Sequence, residues 1–161
     1  MGPAFSLLGV PVTLRPTAVV TGITSALVVA AIARERRALL ALSAGALWYA
    51  ADCFHVVGHI LSSRAVGAPM DAIDVGLYPK SVYVDHNVTP QQHIGRSVGG
   101  VAASLLGAVA LTALARAAGE GRAKELLTIA AAQHGLLFAL SMLPTPLVDG
   151  GVIYANLAKL R

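Results

Sequence analysis

The sequence predicts an all-α polytopic membrane protein of about four transmembrane helices. The last helix is broken between Pro144 and Asp149, and residues 64–93 form a small, β-hairpin-like, membrane-associated loop. Three observations carry this prediction. Of 161 residues, 56% are hydrophobic and only 12% are charged, where a soluble domain carries roughly a quarter charged; mean hydropathy is +0.70. The apolar residues fall in blocks at 16–33, 38–61, 97–115 and 126–144, each close to the ~20 residues that cross ~30 Å of hydrocarbon. Basic residues punctuate these blocks: Arg34, Arg36 and Arg37 after the first, and Arg116, Arg122 and Lys124 after the third.

Taken in order, residues 8–16 alternate apolar side chains with two prolines, Pro11 and Pro16. They read as an extended lead-in that bars helix before residue 16. The first block has no charge between Arg15 and Arg34 and is read as structural; residues 34–37 then make a tight turn into the second. Within 64–93, residues 72–78 and 81–86 alternate on either side of Pro79-Lys80, which predicts a hairpin. The third helix is expected from about Ile94, where Gly95, Gly99 and Gly100 permit close helix approach. The fourth runs into Pro144, Pro146, Asp149, Gly150 and Gly151, which must break it. A fifth block, 146–158, is too short to span. With no repeat or linker, residues 1–161 are read as a single membrane domain.

The net charge of +4 does not indicate a nucleic-acid partner, because the cations flank membrane blocks and no binding motif accompanies them. The expected surroundings are a lipid bilayer. Orientation stays open: six Lys/Arg fall in the loops after blocks one and three, and six on the other side (Arg15, Arg64, Lys80, Arg96, Lys159 and Arg161). Cys53 is the single cysteine, so no disulfide framework exists.

Chemistry concentrates at His55-Val56-Val57-Gly58-His59. Positions i and i+4 of a helix lie about 40° apart, so both imidazoles reach one ion from one face. This is the ligand half of the H-E-x-x-H zinc signature, with Val56 where the glutamate that activates water belongs. Asp149, on the broken helix, supplies a third donor of the right type. Two histidines and one carboxylate form a common Zn2+ set that leaves a fourth position open. Asp52 shares the histidine face, but lies about 6 Å along the axis from Val56; it is read as an acceptor for a histidine N–H or, less directly, as a substitute base. His134, with Gln133, is read as an interhelical hydrogen-bonding group. His86 and His93 are read as solvated, and Trp48 and Tyr49 as core packing.

In their order along the chain these residues resemble the site-2 proteases, which are intramembrane zinc metalloproteases. Gly9-Val10-Pro11-Val12 resembles the family's lead-in; His55, Gly58 and His59 its H-E-x-G-H helix; Gly99-Gly100 its small-residue helix; and Pro144, Pro146, Asp149, Gly150 and Gly151 its last hallmark. The resemblance implies that His55, His59 and Asp149 are zinc ligands and that residues 64–93 are a cytoplasmic, membrane-associated β element. The chain departs from the family at Val56 for the catalytic glutamate, Ser141 for the hallmark asparagine and Gly100 for a proline.

The resulting expectation is a pseudoprotease or regulator that binds a transmembrane helix of another membrane protein. No catalytic group is intact, and the substrate-binding residues are unassigned. One alternative is an active intramembrane metalloprotease that uses Asp52 or zinc-bound water alone. The other is a metal-binding or transport protein, against which stands the small number of acids within the blocks, Asp52 and Asp149.

Overall fold

The prolines that bar helix before residue 16 leave two strands, β1 (Phe5–Leu7) and β2 (Val10–Leu14). They are joined by a two-residue turn at Leu8 and Gly9, both with positive φ (48° and 80°), the geometry that matches strand twist in a tight hairpin. This computed structural model describes residues 2–33 and 37–160, so the turn expected at 34–37 lies, for residues 34–36, outside the described residues. A 3-10 turn (Pro16–Ala18) leads into α1 (Val19–Ile32), and α2 follows (Arg37–Ala65). Strands β3 (Ala72–Val75) and β4 (Pro79–Val82) precede α3 (Pro90–Ala117), α4 (Arg122–Ser141) and α5 (Asp149–Leu157). A final 3-10 turn covers Ala158–Leu160.

The expected hairpin exists, but its strands are shorter and its turn is earlier. The chain reverses at Gly76, Leu77 and Tyr78, and Pro79 opens β4 instead of sitting in the turn. A proline is tolerated there because β4 is an edge strand, where a missing N–H breaks no second ladder. The hairpin is also half of a larger sheet, ordered β1-β2-β3-β4. The lead-in pairs in parallel with β3 (Val12 opposite Ile73, Leu14 opposite Val75). A parallel pair needs a long crossover, and here α1 and α2 supply it. Arg15 locks the pairing on the outer face, donating from Nε and Nη2 to the two oxygens of Asp74 at 2.8 and 2.7 Å. These bonds hold the Asp74 carboxyl below its usual range. The inner face of the sheet, Val10, Val12 and Ile73, packs with Met70 on Val56 and Ile60 of α2.

Among the described residues, two helices are long and apolar enough to cross a membrane, Ala38–Ala65 and Pro90–Ala117, each of 28 residues. The other two blocks give helices whose bounds differ from those expected. The first gives an apolar helix over Pro16–Ile32, and the fourth starts earlier, at Arg122, and stops at Ser141 before the prolines. Large apolar side chains point outward along α1 and α3, among them Leu27 (65% exposed) and Leu106 (65%). α3 begins one turn before Ile94 because Thr89 and Gln92 form a capping box around Pro90.

The helices meet through small residues. Gly58 of α2 lies against the Gly99 carbonyl of α3, with no room for a Cβ on either glycine. Gln133 of α4 donates to Ser25 Oγ of α1 and to the Ala44 carbonyl of α2, both at 2.8 Å. It plays the interhelical role expected of the Gln133–His134 pair. His134 does not: its Nδ1 has no partner, and its ring packs against Gly107 and edge-on to Phe54.

Candidate metal centre

The i, i+4 spacing places His55 and His59 on the face of α2 turned toward α3, both buried. Asp149 arrives from the far end of the chain as the first residue of α5. Gly150 and Gly151 bring it there: a side chain on either would strike the backbone of Met142, Leu143 and Thr145 in the broken segment. His55 Nε2 and His59 Nε2 are 2.9 Å apart, and Asp149 Oδ2 lies 3.3 Å from each. Together the three residues form a group whose potential ligand atoms lie within 4.8 Å of one another.

The remaining ring nitrogens are held by α3. His59 Nδ1 is 2.7 Å from the Arg96 carbonyl. A carbonyl only accepts, so Nδ1 carries the proton and the neutral ring presents a bare lone pair at Nε2. His55 Nδ1 is 2.8 Å from Ser104 Oγ, a fully buried hydroxyl. With Ser104 accepting from His55 Nδ1–H, three electron-rich atoms converge, an arrangement that calls for a cation. Donors bonded at about 2.0–2.2 Å around a tetrahedral ion stand about 3.3–3.6 Å apart. Two edges of the observed triangle match this and the third is somewhat shorter. The donor set and its outer hydrogen bonds thus fit a zinc-type ion. Gly100 completes the fit, since a Cβ there would collide with Nε2 of both histidines.

The group opens on a cleft of about 830 Å³ between α2, the sheet and the broken segment. Asp52 and Trp48 line it one and two turns before the histidines, so Trp48 serves the cleft instead of the core. Tyr49 is likewise not core: it is 37% exposed, and its hydroxyl donates to the Ala18 carbonyl over Gly22. His86 is exposed, as expected, and His93 is half-buried; both stand at the cleft, as does Ser141. Val56 does not line it. At 4% exposure its side chain is sealed against Val10, Val12 and Ile73.

Sequence reasoning missed Arg96, Ser104 and Tyr83. Arg96 counts as a flanking cation in the sequence, yet it is buried in α3. Its Nε donates to the Ala68 carbonyl (2.8 Å), its Nη1 to the Asp85 carbonyl (3.0 Å), and its guanidinium lies 4.2 Å from the Tyr83 ring centre. Burial foremost pushes the Tyr83 hydroxyl up to about 12, so it stays protonated. The available signal for Ser104 was its spacing: four residues after Gly100, it falls on the same face of α3.

The sequence matches no protein-family model and no curated protein. The fold has a counterpart: it is similar to the Site-2 Protease from Methanocaldococcus jannaschii with a TM-score of 0.75. The superposition covers 98% of this chain and 71% of that one at 16% sequence identity. At that identity the likeness is one of fold. The architecture is therefore site-2-protease-like, a mostly helical fold with a small four-stranded sheet and two helices long and apolar enough to cross a membrane.

Proposed function

We propose that this chain is a multi-pass, site-2-protease-like membrane protein of about four spans. In this reading its His55, His59 and Asp149 hold Zn2+, and it binds a transmembrane helix of another membrane protein without cutting it. The observation that carries the reading is the surroundings of Val56. One residue past His55, where a general base would be needed, stands an apolar side chain sealed into the sheet core. When bound, zinc supplies a Lewis acid that polarises a carbonyl. The chain's own residues orient that site but offer no base beside it. The cleft suits an unwound polypeptide, because β4 lines it and is one of the two edge strands of the sheet, to which an extended segment can add by backbone hydrogen bonds.

The test compares the wild type, Val56→Glu and His55→Ala for bound zinc and for cleavage of a helical membrane substrate. The expected result is stoichiometric zinc in the first two and cleavage in Val56→Glu alone. A general base is worth roughly 10²–10⁴-fold in rate, so the gain lies well above background. Absence of zinc from the wild type sinks the reading.

A second reading has its own observation: Asp52 is buried, lines the cleft and shares the histidine face. It makes the protein a slow protease with Asp52 as the base. Wild-type cleavage that disappears in Asp52→Asn would establish it over the first.

A further inference from the structure

Among the described residues, two of the polar atoms on the side chains lining the cleft are buried without a hydrogen-bond partner, Trp48 Nε1 and Tyr83 Oη. A buried donor left unpaired is costly, so one at the wall of a cleft marks where a ligand acceptor is received. Trp48 sits one helical turn from the Asp52 carboxylate on the same wall, which is positioned to take up its N–H after a small shift. Tyr83 is placed differently. Its ring is fixed over the Arg96 guanidinium, itself held by the carbonyls of Ala68 and Asp85. The same ring rests on the apolar cluster that contains Val56. Its hydroxyl completes no hydrogen bond, and the residue lines the same cleft as Asp149.

The polar group that this wall of the cleft offers is therefore a donor, where an acceptor would be needed to take a proton from water. A phenol hydroxyl that keeps its proton cannot act as that base, but it can hold an oxygen. We propose that Tyr83 is a ligand-binding residue of this cleft. Its hydroxyl donates a hydrogen bond to the carbonyl oxygen of an amide lodged against the His55–His59–Asp149 group. The proposal rests on the metal reading above and names the ligand chemistry of that site: an unwound peptide segment, gripped through a carbonyl oxygen.

The test uses Tyr83→Phe, which removes one oxygen and keeps the ring over Arg96. Wild type and variant are purified in detergent, loaded with cobalt and titrated with leucine hydroxamate, an amide analogue that chelates metals through its carbonyl oxygen and its N–O oxygen. Binding is read from the cobalt absorption bands. The expected result is the same cobalt affinity and the same starting spectrum in both proteins, with hydroxamate binding about 10-fold weaker in Tyr83→Phe. Equal hydroxamate affinity overturns the proposal and leaves the metal reading standing. Loss of cobalt from Tyr83→Phe also overturns it, by making the hydroxyl a support of the metal group. A wild type that takes up no cobalt overturns the metal reading, and this proposal with it.

Discussion

Ser104 is the residue on which the two histidines differ. His59 is oriented by a backbone carbonyl, which can only accept, so its tautomer is settled by the fold of α3. His55 is oriented by a hydroxyl, which donates as readily as it accepts. Only when Ser104 accepts from Nδ1–H does His55 Nε2 face the cluster with a free lone pair. Ser104→Ala removes the acceptor and leaves His55 free to choose either tautomer. Outer-shell partners of this kind are worth 10–100-fold in metal affinity, and that is the loss expected in a chelator-competition titration. Ser63→Ala is the control, because Ser63 is also fully buried but bonds to Ile60 and Met70. Its zinc affinity is expected to stay at the wild-type level. At this scale the sequence was legible where spacing alone carries the chemistry. The His55–His59 pair and the Pro-x-Pro break before Asp149 announce themselves. Ser104, Arg96 and Tyr83 did not, because a serine or a tyrosine acquires its role only from which neighbour the fold sets beside it.

At the scale of elements, the centre depends on how closely α2 and α3 can approach. Gly58 and Gly99 set the backbone contact, and Gly100 one residue on leaves the space that the imidazoles fill. An alanine in place of a helical glycine ordinarily stabilises by about 1 kcal/mol. That sign is expected at Gly135, in α4, where a Cβ meets nothing within 4 Å. At Gly100 it is expected to reverse: the added methyl displaces His59 and meets His55 Nε2 at 2.6 Å. Gly100→Ala should therefore lose its zinc, measured by metal analysis, while Gly135→Ala keeps it and melts no lower than the wild type. The helices were legible as apolar blocks, although their ends were not. α3 starts early because Thr89 and Gln92 cap it, a four-residue signal hidden inside a polar stretch. The sheet was half legible: alternation disclosed the strands, but the parallel pairing of β2 with β3 joins segments separated by two helices, and no local pattern encodes it.

At the scale of the whole molecule, one buried cation links parts of the chain that the sequence keeps apart. The Arg96 side chain holds the carbonyls of Ala68 and Asp85, at the two ends of the β3–β4 segment, while its own carbonyl orients His59. The wall of the cleft and one candidate ligand are thus tied to the same turn of α3. Arg96→Gln cannot reach both carbonyls. Each buried polar group left unpaired costs roughly 1–3 kcal/mol, a large share of what holds a short four-strand sheet in place. The backbone carbonyl at residue 96 survives the substitution, so His59 keeps its partner and the metal group is expected to persist. The two functions of this position should therefore separate. Amide hydrogen exchange across residues 68–85 is expected to accelerate in Arg96→Gln while α2 and the core of α3 stay protected and zinc stoichiometry holds. Unchanged exchange in that segment would show that the sheet is held by its pairing with β2 alone. Loss of zinc together with the sheet would show that the metal group and the wall form one cooperative unit.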